Sequence, residues 1–217
     1  MERMEAFFTA RVDCYDAHML HEVEGYAEGC RMAAGLLPEM CTWLLDLGCG
    51  TGLELEPVFE RFPDLRVTGI DLTQAMLDRL GKKFRGRRLE LFRGSYVGRD
   101  FGVERYDAAL AVETLHHLEP GVKAGVYRQI WAALRPGGVY LECDYMACDC
   151  LEERRLRREN RRLRGAEGLT PEAEVHFDIP LTEAHNRTLL LRAGFARVER
   201  HMQAGDTVLL AAWKAAG

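Results

Sequence analysis

The chain has no long apolar run. None of its 217 residues falls in a stretch approaching the ~20 apolar residues of a membrane-spanning helix. The opening Met1-Glu2-Arg3-Met4-Glu5 mixes charges and lacks a signal-peptide core, so a cytoplasmic location is expected. Lysine is nearly absent, and the basic residues are overwhelmingly arginine, which reads as compositional bias. Positive charge is not in excess either. The 29 Lys and Arg stand against 34 Asp and Glu, and the net charge of −5 gives no bulk attraction for nucleic acid or an anionic membrane. No internal repeat or low-complexity linker appears, and the length suits one α/β domain with additions. The cysteines are odd in number, seven, so they cannot all pair within the chain and read as free thiols. Cys143, Cys148 and Cys150, with Asp144 and Asp149 nearby, have the spacing C-x4-C-x-C. That matches no standard zinc pattern and no histidine follows at ligand distance, so no metal is expected.

What is present is a core and a motif. Apolar residues make up 47% of the chain, enough for a substantial interior. Leu44-Leu45-Asp46-Leu47 reads as a short buried strand, and Gly48-Cys49-Gly50-Thr51-Gly52 as a glycine turn. A helical pattern follows from Leu53. Glycine lets the backbone bend sharply and a ligand come close, and the helix start offers free N–H groups to an anionic group. A dinucleotide fingerprint would need its last glycine where Leu53 stands, which counts against a nicotinamide dehydrogenase. The second strand, Leu65 to Asp71, ends in an acid ~20 residues after the turn, the spacing at which a carboxylate reaches ribose hydroxyls.

The rest of the chain alternates helices and strands. Residues 1–38 look helical, with a second helix over Val23 to Leu37. Thr73 is suited to cap a helix from Gln74 to Phe84, and Leu89 to Arg93 forms a third strand. Tyr106 to Val112 has the continuous apolar character of a central parallel strand. A helix from Pro120 to Leu134 closes at Arg135-Pro136-Gly137-Gly138, and Val139 to Asp144 is the fifth strand. Residues 146–180 interrupt the alternation. Their stretch Glu152 to Arg164 carries seven arginines, a set that could hold an anion or an RNA backbone, but interleaved glutamates give it the look of a solvated face. Thr182 can cap a further helix, and two last strands are joined at Gly205-Asp206. Such alternation implies a parallel sheet covered by helices on both faces.

The turn Asp46-x-Gly48-x-Gly50-x-Gly52 resembles the first motif of the class I S-adenosylmethionine-dependent methyltransferases. The resemblance runs from about Tyr15 to Trp213 and implies one Rossmann-like domain over residues 1–217. Its sheet has seven strands in the order 3-2-1-4-5-7-6, the last antiparallel. Residues 1–38 would be a helical lid and 146–180 a helical insertion over the active site. It implies S-adenosylmethionine as cofactor. Asp46 and the backbone of Gly48, Cys49, Gly50 and Gly52 would meet the amino acid tail, and Asp71 the ribose. Leu72 and Met76 would cover the adenine, although Met76 reads equally as core. Ser95, before Tyr96, stands where the family usually has an acid for the adenine amino group. Val112 would end the fourth strand against the reactive methyl, and the following Leu115-His116-His117 matches a run frequent in the family. His116 or His117 could act as general base, or both could simply hold the loop. In the N-terminal helix Tyr15 could face the sulfonium and His18 the acceptor.

The tail from Leu181 to Phe195 also resembles enzymes that carry a carboxylated form of the cofactor for tRNA wobble uridine. Those hold the extra carboxylate with an arginine where Leu189 stands here, and Arg187 is out of phase, so ordinary S-adenosylmethionine is expected. The expected acceptor is a small molecule, with no nucleic acid or membrane partner, and a homodimer is admissible. An RNA-modifying enzyme and a non-catalytic cofactor-binding regulator on the same fold are the competing readings.

Overall fold

The computed structural model describes residues 1–147 and 149–217. Three helices come first: α1 (Met4–Thr9), α2 (Tyr15–Glu22) and α3 (Tyr26–Leu36). The sequence pattern suggests two. The extra break falls over residues 10–14, between α1 and α2, while Gly25, with a φ of +77° and no side chain to keep Ala204 away, starts α3. Strands and helices then alternate: β1 (Trp43–Leu47), α4 (Leu55–Arg61), β2 (Arg66–Asp71), α5 (Gln74–Lys83), β3 (Arg88–Arg93) and β4 (Tyr106–Val112). A 3-10 turn at Leu115–His117 leads to α6 (Pro120–Ala133) and β5 (Leu134–Tyr145). After α7 (Cys150–Glu167) and α8 (Glu183–Ala193), the hairpin β6 (Arg197–Ala204) and β7 (Thr207–Trp213) closes the chain.

The sheet order is β3-β2-β1-β4-β5-β7-β6, parallel except where β7 pairs antiparallel with β5 and β6. Alternate residues of each strand face opposite layers. Leu44, Leu110 and Leu141 pack under α3, α4 and α5, while Leu45, Leu47 and Tyr140 pack under α6 and α8. The chain reverses direction across the sheet between β1 and β4, and ligand crevices of open α/β sheets form at the carboxyl ends of such neighbours.

Most boundaries fall within a residue or two of the sequence reading, but the fifth strand and the start of α5 differ in kind. The fifth strand begins at Leu134, because Tyr106 pairs with Leu134 before the register shifts and Ala108 pairs with Val139; Arg135 to Gly138 is thus a bulge within the strand. Thr73 begins α5 but makes no side-chain cap. Its N–H goes to Asp71 Oδ1 at 2.7 Å, and its own hydroxyl is buried without a hydrogen-bond partner among the described residues. Thr182 does cap α8, accepting from His185 N.

The two segments outside the alternating core meet each other. Arg3 bridges antiparallel to Val175, Met4 N donates to Glu174 O and His176 N donates to Glu2 O. The Phe7 ring stacks on His176 with centroids 3.5 Å apart. Five of the seven arginines of α7 are exposed, and Arg157 and Arg164 are tied into the fold. Arg164 donates to Asn160 Oδ1, Thr170 O and Ala173 O, Arg157 pairs with Glu153, and Arg162 pairs with Glu159.

Candidate active site

The glycine turn leaves β1 at the switch point, and its glycines answer different needs. Their φ values are +67° at Gly48, +44° at Gly50 and +75° at Gly52, a region that penalises any Cβ. A Cβ on Gly48 would lie 2.2 Å from Thr114 Oγ1, so Gly48 lets the ends of β1 and β4 come together. A Cβ on Gly52 would meet Phe84 at 2.9 Å and Leu80 at 3.0 Å, so Gly52 seats the turn on α5. At Gly50 a Cβ would project toward the Tyr15 ring, 3.7 Å away, across an open slot. Cys49 and Gly52 do not line that slot. The Cys49 thiol is buried against Gly69, and its N–H is spent on Ile70 O at 3.2 Å.

Asp71 ends β2 beside this slot. One of its oxygens accepts from Gly50 N at 3.0 Å and the other from Thr73 N at 2.7 Å. A carboxylate has about four acceptor sites, so capacity for hydroxyl donors is left. Leu72, Met76 and Tyr96 continue the wall, with Met4 and Phe8 of α1 closing the slot to about 40 Å³. Ser95 lies just beyond, with its hydroxyl accepting from Val97 N. Tyr96 places its own hydroxyl 3.0 Å from both Thr114 oxygens. Val112 is buried in the core, and the residues that face the slot at the end of β4 are Glu113 and Thr114.

Beneath the turn lie two buried carboxyls. Asp46 is 1% exposed and Glu54 is 5% exposed. Both oxygens of Asp46 and one of Glu54 lack a hydrogen-bond partner among the described residues. Burial, then the Asp71 charge, pushes Asp46 up to about 7, and burial with Asp46 itself raises Glu54 well above its ordinary value. Such a pair titrates together. An ammonium group brought above it would find carboxylates with unused acceptor capacity. Raised folded-state values favour the folded protein at low pH and cost stability as pH rises through the folded value. The unliganded protein should therefore lose on the order of 2–4 kcal/mol between roughly pH 4 and pH 7, and Asp46→Asn should flatten that slope. Urea unfolding across this window checks it, and a variant as pH-dependent as the parent would remove Asp46 as the cause.

Tyr15 stands on the far side of the turn. Thr51 Oγ1 donates to Asp16 Oδ1 at 2.6 Å, and Lys83 Nζ lies 3.2 Å from Asp16 Oδ2. These bonds hold α2 against the turn and α5. Burial, then Glu54, raises the Tyr15 phenol well above its ordinary value, so it stays a donor. Beyond Tyr15 opens a second cavity of about 630 Å³, between α1, α2, the His116–His117 turn and the loop carrying His176 and Asp178. His18, exposed on α2, lines it too. The slot and this cavity share four residues: Phe8, Tyr15, Glu113 and His117.

Glu113 has a left-handed backbone, φ +47°, unusual for a residue with a side chain. Its N–H is tied to Cys143 O at 2.8 Å and its Oε1 accepts from Thr207 Oγ1 at 3.3 Å. Burial, then the Asp144 charge, pushes its carboxyl up to about 7 against the opposing effect of His116. Strained backbone at a cleft of this kind concentrates at functional sites. His116 Nδ1 lies 2.6 Å from Asp144 Oδ1. Burial disfavours its charged form, but Asp144 and Glu113 outweigh burial and lift it to about 9. Behind it, fully buried Lys123 sits 2.8 Å from Glu142 and 3.7 Å from Asp144. Burial and the neighbouring His116 push His117 down to about 4. Its Nδ1 is 3.1 Å from Asp178 Oδ1, off the line a hydrogen bond needs.

The cysteines expected to cluster do not converge where described. Cys143 is buried in β5 against Gly29, Cys150 is exposed at the start of α7, and Cys148 lies outside the described residues. Among the described residues, the groups with metal-ligating geometry are His116, His117 and Asp178, and Glu113, His116 and Asp144. Of all these, Glu113, Glu54, Asp144 and Asp178 carry no sequence motif that would have singled them out for the site.

Residues 45–140 match the family model described as a methyltransferase domain. Over 201 residues the chain is 27% identical to the carboxy-S-adenosyl-L-methionine synthase of Wolinella succinogenes, covering 85% of this chain and 83% of that one. It is 31% identical over 114 residues to the sterol 24-C-methyltransferase of Candida albicans, covering 51% of this chain but only 30% of that enzyme. An O-methyltransferase family protein from Burkholderia thailandensis has the same fold, with a TM-score of 0.71 at 19% identity, over 99% of this chain and 64% of that one. The matches are thus to a methyltransferase domain over residues 45–140 and to a methyltransferase-type fold over nearly the whole chain, and the sheet order and the glycine turn agree with them. Among the described residues, no helix is long and apolar enough to cross a membrane.

Proposed function

We propose that the chain transfers the methyl group of S-adenosylmethionine to a small molecule held in the 630 Å³ cavity. The observation that carries this reading is the wall of Phe8, Tyr15, Glu113 and His117 common to the cofactor slot and the cavity. A methyl placed at that wall faces the cavity. The residues of the slot fit the cofactor: Asp71 for ribose hydroxyls, and Leu72 and Met76 for the adenine; Asp46 and Glu54, with unused carboxyl oxygens, are buried outside its lining. Tyr15, beside Gly50, supplies an electron-rich ring for the sulfonium. Met4 and Phe8 have to withdraw as the cofactor enters, which gives α1 the part of a lid.

The transfer is an in-line displacement. A lone pair of the acceptor atom forms the bond to the methyl carbon, and the electron pair of the carbon–sulfur bond stays on sulfur as it becomes a neutral thioether. The protein contributes mainly by holding the three atoms in line and excluding water. Where the acceptor atom carries a proton, Glu113 is the group placed to receive it.

The relationship to a carboxy-S-adenosyl-L-methionine synthase suggests a different cofactor, but the matching position here argues for the ordinary one. Leu189 stands where a carboxylate-binding arginine would be, and Arg187 is turned away to donate to Val198 O and pair with Glu183. An RNA acceptor fits less well, because the chain carries a net charge of −5 and the α7 arginines are interleaved with glutamates that pair with them. Incubating the protein with methyl-labelled cofactor and separate pools of metabolites and bulk tRNA tests the reading. Label should enter the small-molecule fraction. Label in tRNA alone would overturn it.

A further inference from the structure

The loop from β4 and the loop after α7 come from distant parts of the chain, yet they bring two imidazoles and a carboxylate to one point on the wall of the acceptor cavity. His117 Nδ1 lies 3.1 Å from Asp178 Oδ1, and His116 Nε2 lies 3.7 Å from the same oxygen. All three ligating atoms fall within 4.8 Å of one another. Ligands about 2.1 Å from one ion stand roughly 3.0–3.4 Å apart at right-angled or tetrahedral positions, so the 3.1 Å spacing already matches a coordination shell and the 3.7 Å one is slightly wide. Two histidines and one carboxylate on one side of an ion is a recurrent set for divalent transition metals that keep open positions.

Three further observations point to a ligand. His117 is 5% exposed, and its Nδ1 has no hydrogen-bond partner among the described residues. Asp178 Oδ1, facing it, has none either. Their 3.1 Å contact lacks hydrogen-bond geometry, and an ion between them would satisfy both atoms. His116 is already oriented as ligating histidines are. Its Nδ1 is committed to Asp144 at 2.6 Å, which leaves Nε2 as the ring nitrogen that faces Asp178. Carboxylates behind a ligating histidine fix its tautomer and direction in this way. Asp144 is in turn held near Lys123, and His116 O accepts from Ile179 N at 2.9 Å, tying the turn to the Asp178 loop.

We propose that His116 Nε2, His117 Nδ1 and Asp178 Oδ1 bind one divalent transition-metal ion of the zinc class, with its open side toward the acceptor cavity. The site stands on these residues alone. Its role rests on the small-molecule reading: an ion there would coordinate a hydroxyl or carboxylate oxygen of the acceptor and hold it beside Glu113 and the methyl group. The cysteine spacing gave no reason to expect a metal, and the proposed site contains none of the cysteines.

Calorimetric titration of chelator-treated protein with Zn2+, and absorption spectra with Co2+, test the site without any acceptor. One equivalent should bind, and the Co2+ spectrum should show nitrogen and oxygen ligation without the intense thiolate bands. Asp178→Asn, a change at a half-exposed side chain that should not disturb folding, should weaken binding at least about 10-fold, and His117→Ala more. Asp144→Asn should weaken it about 10- to 100-fold as a group acting through His116. No stoichiometric binding, thiolate bands, or binding unchanged by Asp178→Asn and His117→Ala would each overturn the proposal. Metal bound as expected in a protein whose label goes only to tRNA would keep the site and reject the acceptor reading, so the two fail separately.

Discussion

Gly50→Val should abolish binding of S-adenosylmethionine while leaving a folded domain. The three glycines of the turn offer a choice of positions, and only this one separates folding from binding. Side chains at Gly48 and Gly52 would run into Thr114 and Phe84 at 2.2 and 2.9 Å, contacts that hold the core together. At Gly50 the added carbon has room, 3.7 Å from the Tyr15 ring, but the room is the slot itself. A branched side chain there fills the space between turn and ring. It also sits on a φ of +44°, which costs a residue with a Cβ about 1–2 kcal/mol of stability. Calorimetry should therefore find affinity reduced at least about 100-fold, or about 2.7 kcal/mol, with circular dichroism and a cooperative unfolding transition retained. Normal binding would place the cofactor elsewhere.

Glu113→Gln should leave cofactor affinity within a few-fold of the parent and lower kcat by about 100- to 10,000-fold, the range for loss of a positioned general base. The substitution keeps the side chain's size and its acceptor for Thr207 and removes only the proton-accepting carboxylate. Glu113 earns this expectation by place: it belongs to both the slot and the cavity, at a strained backbone position tied to Cys143 O. Single-turnover measurement with the labelled cofactor separates chemistry from product release. An unchanged rate would mean that the acceptor atom arrives without a proton or gives it to another group. A parallel loss of cofactor affinity would make Glu113 a binding residue.

Much of the frame could be read before the structure because local chemistry decided it. The apolar run of β1, the positive-φ glycines and the acid closing β2 are near neighbours in sequence, and each narrows what the others can be. Thr182 at the start of α8 and the Gly205-Asp206 hairpin are likewise short-range devices. The strand order came from family resemblance, since periodicity alone says nothing about which parallel strands are neighbours. What escaped was tertiary. Cys49 sits within the motif, but pairing with Ile70 turns its N–H and thiol into the core. Thr73 has the composition of a cap, but its hydroxyl accepts from no helix N–H, and Asp71 two residues earlier holds the helix start through the Thr73 N–H. Glu113 and Glu54 look like ordinary acids in the sequence. One becomes notable through its backbone strain and its position between two cavities, the other through burial beside Asp46. Asp178 lies in a segment with no readable periodicity and meets His117 only because α7 returns the chain to the sheet's open end.

The most direct test is a crystal structure of the protein with S-adenosylhomocysteine. Its amino acid tail should lie on the turn at Gly50, its ribose hydroxyls on Asp71, its adenine against Leu72 and Met76, and its sulfur at the wall of Tyr15, Glu113 and His117, pointing into the 630 Å³ cavity. A ligand bound away from the turn, or one whose sulfur faces away from that cavity, would contradict the assignment of cofactor slot and acceptor site.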